Sequence, residues 1–261
     1  MKIPIAFRSF AAIASFACLG SGSVSAQNPI EDETNPFNLN INKFKQLGTE
    51  LPTPNVYRTA SGAPGHAYWQ QKADYDIQVR LDEDAHRIDG QERVTYTNNS
   101  PDELRYVWLQ LDQNVRAKDS DTHKIRESRI GDRNSFESIR DLEPSFDGGF
   151  KIERVADAAG NALPYVINKT MMRIDLPSPL KPGGKFIFDI DWWYNINDRM
   201  ADGGSSGYEW FEEENNAIYT IAQFHPRMVV YCDNEGWQNK QFLGSGECTL
   251  NFGDYHVEIT A

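Results

Sequence analysis

From Tyr75 the chain alternates. Tyr75, Ile77, Val79 and Leu81 are separated by Asp76, Gln78 and Arg80. This period of two predicts a strand with one buried and one wet face. Ile88–Tyr96 predicts its partner, Asn98 to Asp102 reads as a turn, and Leu104–Leu111 predicts a third strand of an antiparallel meander. Phe150–Val155 and Leu163–Ile167 predict a hairpin about Ala159-Gly160-Asn161. Met172–Leu176 and Lys185–Trp193 predict a further pair, separated by three prolines and Gly183-Gly184. Ile218–Phe224, Met228–Tyr231, Glu247–Phe252 and Tyr255–Thr260 complete the strands. The expected fold is all-β: an antiparallel saddle-like or sandwich domain with a long polar insertion and little helix. The last strand has no turn or polar tail after it, so an open edge and a longer protein are expected.

Other segments interrupt the alternation. Residues 27–67 are rich in Asn, Pro, Thr and Gly and read as an extended or disordered lead-in, with one short helix around Asn42–Leu47. Residues 115–148 form the polar insertion, and the Gly/Ser-rich stretch 197–209 reads as a mobile loop. Residues 1–26 read as a secretory signal: Lys2 and Arg8, an apolar Phe10–Leu19, and Val24-Ser25-Ala26 as the cleavage site. The chain therefore divides into a signal peptide (1–26), the lead-in (27–67) and a β-domain (68–261). Export to the periplasm or the extracellular space follows from the signal. No apolar run is long enough to span a membrane.

Removing Lys2 and Arg8 with the signal takes the formal net charge from −12 to −14. So acidic a chain is a poor partner for nucleic acid or an anionic membrane. Cys232 and Cys248 remain after cleavage. An oxidising compartment permits a disulfide between them, and two separate buried thiols are equally consistent with the sequence.

Catalytic signatures are absent from the pattern. The five histidines are His66, His86, His123, His225 and His256, and no two are four apart. No Gly-x-Ser-x-Gly elbow or Gly-rich phosphate loop occurs. Glu212-Glu213-Glu214 reads as a solvated face and Asp119-Ser120-Asp121 lacks the rest of a calcium loop. Trp192-Trp193-Tyr194 reads as core packing for one tryptophan and cover for the other, because adjacent strand residues face opposite ways.

Two stretches carry a family resemblance. One is Ala217 to Met228 (Ala-Ile-Tyr-Thr-Ile-Ala-Gln-Phe-His-Pro-Arg-Met), continued by Tyr231 to Trp237, Phe242-Leu243-Gly244 and Phe252-Gly253-Asp254-Tyr255. The other is Tyr75-Asp76-Ile77 through Asn114, with Gly90-Gln91-Glu92 and Trp108-Leu109-Gln110-Leu111-Asp112. In order and spacing they resemble the N-terminal β-domain of the M1 zinc metallopeptidases, the aminopeptidase N group, over roughly residues 68–261. The resemblance implies a non-catalytic domain of an exported aminopeptidase that caps the active site. Its partners would be the peptide substrate and a catalytic domain missing from this chain. That domain would hold zinc through His-Glu-x-x-His and a further Glu; neither this motif nor the family's Gly-x-Met-x-Asn is present here. The resemblance makes Gln223 a substrate-pocket residue. His225 stands where the family often has a Glu that contacts the substrate's α-amine, which weakens strict aminopeptidase specificity. No catalytic or metal-binding residue and no cofactor are assigned to this chain itself. The alternative is a stand-alone secreted β-sandwich that binds peptide or glycan.

Overall fold

A computed structural model describes residues 54–122, 136, 146–204, 206–246 and 249–261. The chain divides into two units, Met1–Gln46 and Leu47–Ala261. The first lies outside the described residues, as do the signal peptide, most of the lead-in, most of the polar insertion, and Cys248.

The described residues are nearly all strand, turn and loop. One sheet has five strands. β1 (Lys72–Asp82) and β2 (Arg87–Thr97) form a hairpin. β7 (Lys185–Asn195) lies antiparallel to β2, β4 (Lys151–Asp157) antiparallel to β7, and β13 (Tyr255–Thr260) parallel to β1. A second sheet runs in the order β10 (Arg227–Met228), β3 (Leu104–Gln110), β6 (Met171–Leu180) and β5 (Tyr165–Asn168). Two short pairs, β8 (Gly207–Phe211) with β9 (Asn216–Thr220) and β11 (Tyr231–Cys232) with β12 (Gly236–Trp237), complete the strands. The helical elements with described bounds are a 3-10 turn at Asp112–Arg116 and a single turn, α1 (Arg199–Asp202). The Asp198 carboxylate caps α1 by accepting from Met200 N and Ala201 N.

The inward rows of the two sheets share one core. Ile77, Val94, Phe188, Ile190 and Trp192 come from the five-stranded sheet, and Val107, Leu109, Met172 and Ile174 from the four-stranded one. Gly90 sits on the inward row of β2, where a Cβ would lie 2.2 Å from the Trp192 ring. The strand therefore leaves that place bare so that the indole can lie over it. Trp192 and Tyr194 both face inward, while Trp193 faces out under the Arg87 guanidinium, 4.2 Å from the ring centre.

The all-β class and the face of each long strand agree with the alternation, but the pairings differ. β3 does not continue a meander; it crosses to the second sheet, and the second neighbour of β2 is β7. The predicted hairpin of Phe150–Val155 with Leu163–Ile167 is reduced to the Ala156↔Ala162 bridge and bonds from Leu163 N to Val155 O and from Asp157 N to Asn161 O. Its two strands, β4 and β5, join different sheets, as do β6 and β7. Alternation fixes which face of a strand is buried and is silent on its neighbour. The stretch 197–209 contains α1 and the start of β8. β9 stops at Thr220, and Ile221–Phe224 are turn and loop. Glu247 lies outside the described residues, and Leu250 and Phe252 make only isolated bridges, to Val229 and Lys72. β13 is not bare: it pairs with β1 from Tyr255 to Thr260. Gly253 permits the approach, since a Cβ there would lie 1.6 Å from Ala73 O. Apolar Tyr255, Val257 and Ile259 are nonetheless exposed.

Candidate site at the Gln223 turn

Leu109-Gln110 of β3 pairs with Arg227-Met228 of β10. This short ladder brings together the two stretches that carry the family resemblance. One residue after β3, past Leu111, three consecutive polar residues enter the interior. Asp112, Gln113 and Asn114 are 1%, 4% and 9% exposed. Each fixes a different segment. Asp112 forms a buried ion pair with Arg227 through Oδ2 and Nη2. Gln113 Nε2 donates to Ala222 O at 2.7 Å and to Gln223 O at 3.2 Å. Asn114 Nδ2 donates to Lys169 O, and its Oδ1 accepts from Phe150 N. Arg116 Nη1 donates to Gln113 Oε1 at 2.9 Å, which fixes the orientation of the Gln113 amide. Burial draws the Arg116 pKa down from its ordinary value.

The segment held this way is a turn with a strained centre. Gln223 has φ +54°, a left-handed conformation that is costly for a residue with a Cβ. Its backbone carbonyl is taken by Gln113, and the preceding Ala222 N donates to Ser206 Oγ at 3.1 Å. The Gln223 side chain is partly exposed, and its amide makes no hydrogen bond to another described residue. Strain of this sort persists only where the surroundings over-determine the backbone. Here they do so through Gln113, Ser206 and the buried residues that follow.

His225 points the other way. It is 5% exposed, and its Nδ1 lies 3.0 Å from Oε2 of Glu92, which is 2% exposed. Its ring also meets Tyr75 edge-on at 5.1 Å and Tyr255 at 6.0 Å. Tyr75 accepts a bond from Met228 N at its hydroxyl, and burial lifts its pKa well above the ordinary tyrosine value. Burial also raises the Glu92 pKa; the His225 hydrogen bond and charge pull it back in part. Glu92 Oε1 is buried without a hydrogen-bond partner, so His225 carries the stabilisation of this carboxylate.

Glu92, Asp112 and Arg227 were not singled out by the sequence as site residues. Glu92 had a legible signal: it falls in phase with Ile88, Val94 and Tyr96, so its carboxylate had to enter the core. Cys232 is a free, buried thiol that donates to Asn234 Oδ1, and a pairing with Cys248 falls outside the described residues. Its neighbour Asp233 accepts from Arg58 Nε at 2.8 Å, tying residues before β1 to β11. Among the described residues no three His, Cys, Asp or Glu side chains converge to hold a metal ion. No helix among them is long and apolar enough to cross a membrane.

No protein-family model and no curated protein matches the chain. Among solved structures, a two-domain M1 zinc metallopeptidase variant bound to L-tryptophan aligns with TM-score 0.33 and 13% identity, over 56% of this chain and 26% of that one. An M1 zinc metallopeptidase variant from Deinococcus radiodurans bound to a Tyr-Ser-Ala substrate aligns with TM-score 0.37 and 11% identity, over 73% and 32%. The unsubstituted enzyme from Deinococcus radiodurans gives TM-score 0.36 and 11% identity over 75% and 33%. The chain thus spans a third or less of the length of these structures. Scores this low leave the functional reading to the residues of the chain itself.

Proposed function

We propose that residues 68–261 act as the N-terminal, non-catalytic β-domain of an exported M1-type zinc aminopeptidase, capping its active site and lining its substrate pocket through Gln223. The reading is supported by one observation above the others. The two stretches on which the family resemblance rests are 109 to 115 residues apart in sequence and are locked together at Gln113–Ala222 and Asp112–Arg227. What they lock is the turn at Gln223. A neutral amide held there can accept from a substrate ammonium through Oε1 or donate to a carbonyl through Nε2. His225, turned to Glu92, is a positioning residue in this reading: it anchors the turn from inside. Zinc and the water-activating Glu would come from a domain outside these residues, and zinc would there polarise the scissile carbonyl.

The reading is tested on the longest product of the gene. Its reading frame past Ala261 should encode His-Glu-x-x-His, and the product should hydrolyse aminoacyl reporters in a chelator-sensitive manner. In that product Gln223→Ala should raise KM about tenfold, as expected for losing one hydrogen bond to a charged group. Zinc content should not change. A frame without the motif, together with saturable peptide or glycan binding by the 261-residue chain, would replace the enzyme reading with the stand-alone binding module. An unchanged KM in Gln223→Ala would remove Gln223 from the pocket.

A further inference from the structure

Arg116 has more chemistry than the functional reading uses. It is half-buried at the end of the 3-10 turn, and among the described residues no carboxylate pairs with it. Asp202 acts on its charge from a distance, without an ion pair. Enclosed arginines elsewhere hold carboxylates: Arg58 pairs with Asp233 and Arg227 with Asp112. A shielded guanidinium without an anion is costly, which is why burial draws the Arg116 pKa down.

The side chain is nonetheless fixed. Gly148 N donates to Arg116 O at 3.0 Å, and a Cβ at Gly148 would stand 2.7 Å from Arg116 Cβ. Nη1 donates to Gln113 Oε1, and Nη2 faces Gly204, where an added Cβ would stand 3.6 Å away. The rest of the guanidinium fork makes no hydrogen bond to a described residue. The Tyr194 hydroxyl is in the same state. Tyr194 is 2% exposed, its hydroxyl has no hydrogen-bond partner, and it is near enough to Arg116 for each to act on the other's charge. Burial raises the Tyr194 pKa and Arg116 pulls it back in part, so the hydroxyl stays a proton donor. Both groups are donors, and what both lack is an acceptor. A planar carboxylate matches the free side of the guanidinium fork.

One amide separates these donors from the Gln223 turn. Gln113 Oε1 accepts from Arg116 and its Nε2 donates to Gln223 O, so the guanidinium lies within about 9 Å of that carbonyl. A peptide of two or three residues spans about 7–10 Å, with an ammonium at one end and a carboxylate at the other. We propose that Arg116 and the Tyr194 hydroxyl form a carboxylate-binding subsite beside the Gln223 turn, which takes the C-terminal or a side-chain carboxylate of a short peptide whose amine is held at Gln223. The placement of the amine rests on the reading of Gln223 as a pocket residue; the carboxylate contact does not.

The test is calorimetric titration of the 261-residue chain at pH 7 with Ala-Ala-Ala, Ala-Ala-Ala-amide and Ala-Glu-Ala-amide. At least one of the two peptides with a carboxylate should bind about tenfold more tightly than Ala-Ala-Ala-amide, as expected for a charge-assisted contact. Which one does so identifies the source of the carboxylate. Arg116→Gln, which keeps a donor for Gln113, should erase the preference, and Arg116→Lys should retain part of it. Tyr194→Phe should reduce it severalfold with circular dichroism unchanged. Equal affinity for all three peptides, or no binding of any, overturns the proposal. So does an Arg116→Gln chain that keeps the preference or loses affinity equally for all three, which marks a structural role. Gln223→Ala separates the two proposals. Weaker binding of all three with the preference kept supports both; unchanged binding with the preference kept removes Gln223 from the pocket and leaves the carboxylate subsite standing.

Discussion

The interior at the Gln223 turn and the outer edge at β13 invert the usual distribution of polarity. At the turn, four ionisable side chains (Glu92, Asp112, His225 and Arg227) are enclosed. At β13, three large apolar side chains on the core face of a sheet stand in the open. The difference lies in what each group has for company. The buried ionisable groups are in contact two by two, His225 with Glu92 and Arg227 with Asp112, so none faces a medium of low polarity alone. The apolar row touches the core through Tyr255 on Tyr75 and is otherwise exposed among the described residues. Removing a partner should therefore be severe at the first region and nearly silent in the second.

The largest effect is expected at Arg227. Arg227→Met keeps the volume of the side chain but leaves Asp112 charged in the core without its guanidinium. Breaking such a pair costs about 4 kcal/mol of folding stability, measurable by urea denaturation of the chain. A loss within about 1 kcal/mol would show that Asp112 does not depend on this pair.

His225→Phe should cost about 3 kcal/mol at neutral pH, and the cost should shrink in acid. The direction follows from Glu92. Its folded pKa is raised above the ordinary value by burial, and losing His225 raises it further. The penalty of an ionised Glu92 is absent at a pH below the unfolded value and grows as pH rises from that value through the raised folded one. Adding Glu92→Gln should recover much of the loss at neutral pH and flatten the pH dependence. A cost independent of pH would mean that His225 acts by packing on Tyr75 alone.

The smallest effect is expected at the edge. Ile259→Lys should change the unfolding free energy of the chain by less than about 0.5 kcal/mol, because Ile259 is exposed. A loss above about 2 kcal/mol would mean that the row is covered within one chain, and the contrast between the two regions would disappear.

The sequence was informative about faces and poor about neighbours, for the same physical reason in each case. The alternation at β1 and β2 revealed the buried face of each strand; Glu92 shares the phase of Ile88, Val94 and Tyr96, yet its burial was not read from the sequence. The alternation could not reveal that β3 leaves for another sheet, because pairing between strands distant in sequence is settled by packing. The Gln-Phe-His-Pro-Arg-Met stretch was legible as a motif, and Gln223 lies in the bend that follows β9. The inward rotation of His225 was not legible, since it depends on a carboxylate 133 residues away. The left-handed backbone at Gln223 left no trace in composition, as glutamine is not a residue that favours it.

The central claim is that the surroundings hold the Gln223 turn, and that the Gln223 amide is presented instead of being used in folding. The most direct measurement is the unfolding free energy of Gln223→Gly by urea denaturation. Glycine relieves the left-handed strain, worth about 1–2 kcal/mol, and gives back about 0.5–1 kcal/mol through the freedom of the unfolded chain. The account predicts a variant as stable as the parent or slightly more so. A loss of more than about 1 kcal/mol would show that the Gln223 side chain itself holds the turn, and would contradict it.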